Sequence, residues 1–269
     1  MKARIQRFAV YLAATLVLGV LVALIAYILI KGIPNIHLRL FAWNYNSDNR
    51  SLTPALLNTV MMVVLTLLLA VPLGVGAAVY LVEYAPRGSK LVKLVRLTAE
   101  TLSGIPSIVY GLFGFLFFVL ACNMGNSILS GVLTLTIMVL PTILRTTEEA
   151  LLAVPDAYRE GSFGLGAGRL RTIFRIILPA AVPGIVSGVI LATGRIVGET
   201  AALIYTAGTV TGRATGVLES GRTLAVHLFC LLNEGLYMDD AYATAVILLV
   251  LVVGINALSN AAAKRLAKG

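Results

Sequence analysis

Long apolar stretches constrain the fold of this 269-residue chain more than any other feature. About 20 consecutive apolar residues are needed to cross the hydrocarbon core of a bilayer. In that environment a backbone satisfies its hydrogen bonds only as a helix or a closed barrel. Segments of sufficient length occur at 8–30, 56–82, 101–121, 127–145, 182–205 and 242–262. The pattern predicts an all-α, polytopic membrane protein with six transmembrane helices, in which residues 1–269 form a single transmembrane domain.

The composition agrees with a membrane protein. Hydrophobic residues make up 59% of the chain and charged residues 12%, against about 25% charged residues in soluble domains. A net charge of +9 raises the question of nucleic acid, but the basic residues lie in short clusters between apolar runs. No basic stripe with interleaved aromatic residues is present, so we expect a lipid bilayer and no nucleic acid as partner.

The distribution of lysine and arginine predicts the topology. Fifteen of the 21 basic residues lie in the N-terminus, the 83–100 loop, the 145–178 loop and the C-terminal tail, all on one side of the predicted spans. Five lie on the other side, and Arg195 lies inside a span. Cytoplasmic loops carry the excess of positive charge. We therefore expect a multi-pass bacterial plasma (inner) membrane protein with both termini in the cytoplasm.

Two of the predicted spans contain features that interrupt helices. Pro106 lies in the third span and Pro141 in the fourth, each with glycines nearby. Neighbouring helices in a bundle can satisfy the backbone groups that such breaks release. The third and fourth spans are therefore the ones whose helices the sequence defines least sharply.

The residues that carry most enzyme chemistry are scarce. The two histidines and the two cysteines, Cys122 and Cys230, are not at metal-ligand spacing, and no GxxxxGK[ST] sequence occurs. A Cys122–Cys230 disulfide requires both residues to face an oxidising compartment. We expect no catalytic site, no metal site and no cofactor bound by this chain, so that any ATP is used by a partner.

Arg195 and Glu199 form the candidate substrate site, because both lie within the fifth apolar segment. A charged side chain at the bilayer centre costs about 2.5–3.5 kcal/mol even on lenient insertion scales. Residues i and i+4 share a helix face, so the spacing predicts a pair. A guanidinium fork suits an oxyanion, and a carboxylate can hold it in place until the anion arrives. A purely architectural pair that braces two helices remains the alternative.

The cytoplasmic connection, about residues 146–180, contains an amphipathic stretch. Arg171 and Arg175 lie on a different helical face from the apolar residues, and the helix is expected to enter the membrane at Leu178-Pro179. An interfacial helix with snorkelling arginines would show the same periodicity. The apolar residues recur at Leu170, Ile173, Phe174 and Ile177.

The spacing within this connection resembles the EAA loop of ABC importer permeases. Glu160-Gly161-Ser162 is followed by Gly166 and then by Ile176-Ile177-Leu178-Pro179, with Gly161-Ser162 where the family pattern has two alanines. The resemblance implies a short coupling helix that docks on a separate ATPase, with Gly166 supplying the turn. It also implies that Glu160, Gly166, Leu178 and Pro179 take part in the coupling.

Longer segments resemble phosphate importer permeases of the PstA type over roughly residues 55–262. The resemblance implies a type-1 ABC importer permease core that forms a phosphate path. It also implies three partners: a PstC-like permease, a PstB-like ATPase dimer and a periplasmic PstS-like phosphate-binding protein. The segments are "ETLSGIPSIVYGLFGFLFFV" (100–119), "LPAAVPGIVSGVILATGRIVGETAAL" (178–203), "NTVMMVVLTLLLAVPLGVGAAVYLVEYAPR" (58–87) and "AYATAVILLVLVVGINAL" (241–258).

Two other functions are compatible with parts of the pattern. The first is a permease for a different oxyanion, such as molybdate or sulfate. The second is an ion-coupled secondary transporter or channel, which an isolated intramembrane charged pair would fit. Such transporters commonly consist of repeated halves, and this sequence shows no internal repeat. A secondary transporter would also leave the EAA-like loop unexplained.

Overall fold

The computed structural model describes residues 2–86 and 88–266, and these residues contain helices but no strand. The described residues also contain three π-helical turns: Tyr80–Tyr84, Phe115–Ala121 and Ile173–Ile177. The helices are α1 (Lys2–Gly32), α2 (Thr53–Val79), α3 (Lys90–Ser103), α4 (Ser107–Gly114), α5 (Ile128–Leu152), α6 (Asp156–Gly164), α7 (Arg169–Thr172), α8 (Leu178–Gly198), α9 (Ala201–Thr206), α10 (Leu224–Glu234) and α11 (Met238–Leu266).

Within the described residues, five helical segments are long and apolar enough to span a bilayer, and a bent pair of helices makes a sixth. The predicted spans 8–30, 56–82 and 242–262 correspond to α1, to α2 with the π-helical turn that follows it, and to α11. Each of these helical segments is a few residues longer than predicted. The fourth span is confirmed as a helix but is longer than the predicted 127–145. It runs without a break from Ile128 to Leu152, with Pro141 in its interior.

The third predicted span, 101–121, is wrong as a single helix. Residues 101–103 close α3, and a new helix begins at Ser107 after a bend of 102°. The cause is local, because Gly104 ends α3 and Pro106 opposes helical conformation at the residue before it. The α4 segment and its π-helical extension, Ser107–Ala121, therefore form the short apolar limb of a bent pair.

Helix α5 forms the centre of the bundle. In its most apolar window 67% of the residues are buried, whereas the corresponding window of α1 has none. Helices α2, α8 and α9 surround it and share its main apolar cluster. Members of that cluster include Met62, Leu135, Met138, Val139, Ile143, Ile196 and Leu203.

Small residues set the register of α5 and α8. A side chain at Gly188 would collide with Thr146, and one at Gly184 would collide with Ala150. Small residues permit this close approach of membrane helices. The two contacts show that α5 and α8 run antiparallel. The same register places position 195 of α8 level with Val139, near the midpoint of α5.

The connection between α9 and α10 is fixed to the first turns of α2 by Asn58. The side-chain oxygen of Asn58 (Oδ1) accepts the Ala214 N–H at 3.0 Å. The side-chain nitrogen (Nδ2) donates to Gly212 O at 3.1 Å and to Arg222 O at 3.2 Å. The Thr59 hydroxyl accepts the Leu224 N–H at 2.8 Å. The loop at this end of the bundle is therefore held by buried hydrogen bonds.

Candidate functional site

The predicted fifth span, 182–205, is interrupted after Gly198. Helix α8 ends at Gly198, Glu199 has an extended backbone (φ −72°, ψ 126°), and α9 begins at Ala201. Helix α9 packs along α4, where a side chain at Gly111 would collide with the backbone of Ala202. The segment is therefore a broken helix, and its break lies close to the level of the bundle centre.

The break corrects the predicted Arg195–Glu199 pair. The two residues do not share a helix face, because the helix that carries Arg195 ends before Glu199. The Glu199 carboxylate, which is buried, instead accepts the Ala202 N–H at 3.0 Å at the start of α9. The first N–H groups of a helix have no intrahelical acceptor and attract a carboxylate. No ion pair among the described residues joins Arg195 and Glu199.

Arg195 is a half-buried cation at mid-depth, and no described acidic side chain lies within ion-pair distance of it. Its guanidinium is within electrostatic range of Tyr110 on α4. The Tyr110 hydroxyl donates to Leu102 O at 2.8 Å, across the bend between α3 and α4. The unpaired charge, the bent helix pair and the broken helix thus meet in one region.

The surface next to Arg195 is not covered by the rest of the chain. A side chain added at Gly194 or Gly198 would meet no atom within 4 Å, and Leu191, one turn earlier, is 63% exposed. Open space therefore lies beside the backbone on both sides of Arg195.

The connection 146–180 has the predicted turn at Gly166. Helix α6 ends at Gly164, and Gly166 adopts φ +82°, a conformation that glycine tolerates better than other residues. Its N–H donates to Phe163 O at 2.9 Å. The hydroxyls of Ser162 and Thr172 lie 2.8 Å apart and join α6 to α7. Ser162, which replaces an alanine of the family pattern, is therefore a buried contact.

Helix α6 and the residue after it expose several apolar side chains along with Glu160. Glu160 is exposed, and Tyr158, Phe163 and Leu165 are 52%, 49% and 91% exposed. These side chains lie on α6 or directly after it. The segment therefore presents aromatic and aliphatic side chains around a carboxylate.

The amphipathic stretch before Leu178 is confirmed as helical, but its faces differ from the prediction. The chain is helical from Arg169 through the π-turn Ile173–Ile177 into α8, with Pro179 in the first turn of α8. Ile173 and Ile177 are buried, as expected. Leu170 and Phe174, predicted to share that apolar face, are instead 64% and 61% exposed.

Two arginines that the sequence did not single out join α6 and α7 to the buried Glu83 at the end of α2. Arg159 Nη2 lies 2.7 Å from Glu83 Oε1, and the same guanidinium donates to Leu151 O at 3.1 Å and Val154 O at 3.0 Å. Arg169 donates to Glu83 O. Charge counting used Arg159 only as a topology marker. The position of Arg159 directly before Glu160 was the one signal for a structural role, but its partner Glu83 lies 76 residues away in the sequence.

These features define a multi-pass helical membrane protein with an uncovered cation at a broken helix and an exposed helix on one long connection. The chain belongs to the family described as the binding-protein-dependent transport system inner membrane component, which matches residues 70–269. It is accordingly a permease subunit of the ABC importer class.

Curated relatives share much of the chain. The probable ABC transporter permease protein YqgI of Bacillus subtilis is 35% identical over 249 residues, covering 87% of this chain and 84% of the relative. The phosphate transport system permease protein PstA 1 of Mycobacterium tuberculosis (strain CDC 1551 / Oshkosh) is 41% identical over 154 residues, covering 57% of this chain and 50% of that protein. The chain thus matches about half the length of this PstA protein.

Solved structures of more distant proteins share the fold. A chain of the MetNI methionine ABC transporter in an inward-facing conformation superposes with a TM-score of 0.62 at 21% identity, covering 79% of this chain and 93% of the other. A chain of a bacterial alginate ABC transporter gives 0.62 at 19% identity, with 80% and 79% covered. The type-1 importer permease bundle predicted from the sequence is confirmed.

Proposed function

We propose that this chain is the permease subunit of a phosphate importer and that Arg195 lines the phosphate path. The observation that carries the proposal is Arg195, which has no acidic partner among the described residues and lies near the bundle midpoint between two glycines with open space beside them. Intramembrane ionisable residues typically mark substrate pathways. Phosphate is the proposed substrate because relatives 35–41% identical are phosphate transport permeases by name.

The path is proposed to lie between this chain and a homologous, PstC-like permease. The open face at Gly194 and Gly198 supports this arrangement, because a second subunit packed there would close the space around the guanidinium. Glu199 holds the start of α9 and so maintains the break beside Arg195. In this proposal Glu199 is a positioning residue and Arg195 contacts the anion.

Coupling to ATP hydrolysis is proposed to occur through α6. The exposed Tyr158, Phe163 and Leu165 supply an apolar surface for an ATPase subunit, and Glu160 and Gly166 shape it. Leu178 and Pro179 begin α8, so movement of α6 and α7 is passed to the helix that carries Arg195. The chain itself is proposed to bind no cofactor and to catalyse no reaction, with ATP used by a PstB-like dimer.

The binding-protein partner, the membrane location and the orientation are also proposed from the family. A periplasmic PstS-like protein would deliver phosphate, and the chain would lie in the inner membrane with both termini in the cytoplasm. The family description refers to binding-protein-dependent transport and to the inner membrane, which supports both assignments. It argues against a self-sufficient secondary transporter. A path for sulfate or molybdate is the competing form of the proposal.

The decisive experiment measures phosphate uptake and phosphate-stimulated ATPase activity of the assembled complex. Arg195→Gln should abolish uptake while leaving assembly intact, because the anion loses its counter-charge in a low-dielectric region. Arg213→Gln removes an exposed arginine and serves as the charge-matched control. Normal uptake in Arg195→Gln would refute the path assignment. Stimulation by sulfate or molybdate in place of phosphate would establish the competing oxyanion.

Cysteine crosslinking tests the docking assignment separately. Single cysteines at residues 158–166 should crosslink to the ATPase subunit in the complex. Free labelling of all these positions from the cytoplasm, without any crosslink, would show that α6 is not the docking element.

A further inference from the structure

A second arginine, Arg222, lies buried at the opposite end of the bundle from the coupling helix. Arg222 is 3% exposed and directly precedes the residues that open α10, and His227 on α10 is fully buried. Tyr45 lies against both residues. Its ring centroid is 4.8 Å from the Arg222 Cζ atom and 6.2 Å from the His227 ring, which stands nearly perpendicular to it.

The polar atoms of this cluster have no partners within the described residues. Arg222 Nε and Nη2 are buried without a hydrogen bond, and so are both ring nitrogens of His227. Nε and Nη2 are adjacent donors on one edge of the guanidinium, the edge that forms bidentate bonds to carboxylate and phosphate. Buried polar groups in native proteins are almost always hydrogen-bonded, so these four atoms are candidates for partners from outside the chain.

No acidic residue of the described chain neutralises Arg222. None of the described ion pairs includes it. Glu219, three residues away, is occupied by Thr215, whose N–H and hydroxyl bind its carboxylate at 2.7 and 2.8 Å. The cluster is thus a buried positive charge with an intact binding edge.

His227 supplies an acceptor beside these donors. Burial, together with the Arg222 charge, lowers the pKa of His227 to about 3, so the imidazole is neutral at physiological pH. A neutral imidazole has one N–H donor and one acceptor nitrogen. A ligand that satisfies both residues therefore needs several acceptor oxygens and at least one hydroxyl donor.

The backbone around the cluster is fixed. The Arg222 N–H donates to Val210 O at 3.0 Å, and the Arg222 carbonyl accepts from Asn58. The Thr223 side chain caps α10 four residues before His227. The cluster is therefore placed by the fold and does not depend on a loose loop.

We propose that Arg222 and His227 form a second anion site that binds a protonated tetrahedral oxyanion, with the Arg222 fork holding two oxygens and His227 accepting a hydrogen bond from the anion's hydroxyl. A small anion is favoured over a side chain of a partner protein, because the unpartnered atoms are enclosed within this chain. Hydrogen phosphate has the required hydroxyl, whereas sulfate and a lipid phosphodiester lack it. The choice of phosphate rests on the proposed function.

The test uses the full-length chain, assembled with its partner subunits in phosphatidylcholine nanodiscs and carrying Arg195→Gln. That background removes the proposed path site, so a failure of the path assignment does not alter the readout. Equilibrium binding of radiolabelled inorganic phosphate is measured without ATP, and the contribution of Arg222 is the difference between this background and the same background with Arg222→Gln. Monodispersity on gel filtration establishes that each variant is assembled.

Arg222→Gln should weaken phosphate binding at this site by about 10- to 100-fold, since a bond to a charged group is lost. Arg222→Lys keeps the charge without the fork and should also weaken it at least about tenfold. Arg213→Gln, in the same loop, should have no effect. His227→Phe should abolish the preference for phosphate over sulfate while sulfate still binds.

Equal phosphate affinity in the background and in its assembled Arg222→Gln and Arg222→Lys derivatives would overturn the proposal. An unchanged preference for phosphate in His227→Phe would overturn the role of the imidazole. A lipid or partner carboxylate permanently seated on the fork would appear as no binding of free phosphate to the background at all, and that result also refutes the site.

Discussion

Removal of the Arg159 guanidinium should loosen helix α6 from the rest of the protein. The side chains of Arg159 and Glu83 are only 16% and 9% exposed, so both charges are largely withdrawn from water. In Arg159→Ala the Glu83 carboxylate loses its described ion-pair partner, and the carbonyls of Leu151 and Val154 lose a donor. The Ser162–Thr172 hydrogen bond remains and still joins α6 to α7.

The size of the effect follows from burial. Breaking a fully buried ion pair by removing one partner costs about 3–5 kcal/mol. The partial exposure of Arg159 reduces this to about 2–3 kcal/mol, in line with weaker interactions at wetter sites. At 1.36 kcal/mol for each factor of ten, amides of residues 156–168 should exchange about 30- to 160-fold faster if α6 opens locally.

The measurement is hydrogen exchange of the assembled complex, followed in peptides that cover 156–168 and, for comparison, α5. Arg145→Ala is the matched control, because Arg145 forms an exposed pair with Glu149 (62% and 64% exposed) that is worth about 0.3–0.5 kcal/mol. Glu83→Gln should have a smaller effect than Arg159→Ala, since its amide oxygen still accepts from Arg159. Equal exchange of 156–168 in Arg159→Ala and Arg145→Ala would refute the anchoring role.

Three further predictions concern the break, the turn and the topology. Glu199→Ala should lower the thermal midpoint, because losing the carboxylate that accepts from the first turn of α9 costs about 1 kcal/mol. Glu199→Gln retains an accepting oxygen and should have a smaller effect. An equal decrease in both variants would show that the charge itself is required. Gly166→Ala should reduce the coupling of ATP hydrolysis to uptake, since its left-handed backbone disfavours a side chain by about 1 kcal/mol, and Gly164→Ala should not. Reporters after Asn46 and within 213–234 should face the periplasm and those at 88–93 and 160–170 the cytoplasm; a periplasmic signal at 160–170 would reverse the orientation.

The spans were predictable because lipid imposes a simple rule on apolar length. That rule contains no information about breaks inside an apolar segment. Pro106 is a local signal, and it explains the bend after α3. The break after Gly198 has no proline, and it is stabilised by a tertiary contact of α9 with α4 and by the Glu199 carboxylate. A pattern of i and i+4 charges therefore predicted a pair that the broken helix prevents.

In the connection 146–180, the sequence predicted the turn at Gly166 but not the Glu83–Arg159 ion pair that holds α6. The positive φ of Gly166 follows from glycine's own conformational freedom, which is readable in the local sequence. The Glu83–Arg159 contact joins the end of α2 to α6 and depends on how the helices pack. Charge counting cannot distinguish a solvated loop arginine from a buried one, since both contribute equally to the positive-inside bias.

The contrast between Arg159 and Arg195 supports different roles for two arginines in the same chain. Arg159 donates to carboxylates and to backbone carbonyls, so its donors are committed to the fold. An anion could use them only by displacing those partners. Arg195 has no acidic partner within ion-pair distance in the described chain, and its neighbouring glycines leave space beside it. An anion can therefore approach Arg195 without first breaking an ion pair, which is the property that a transient binding position in a transport path requires.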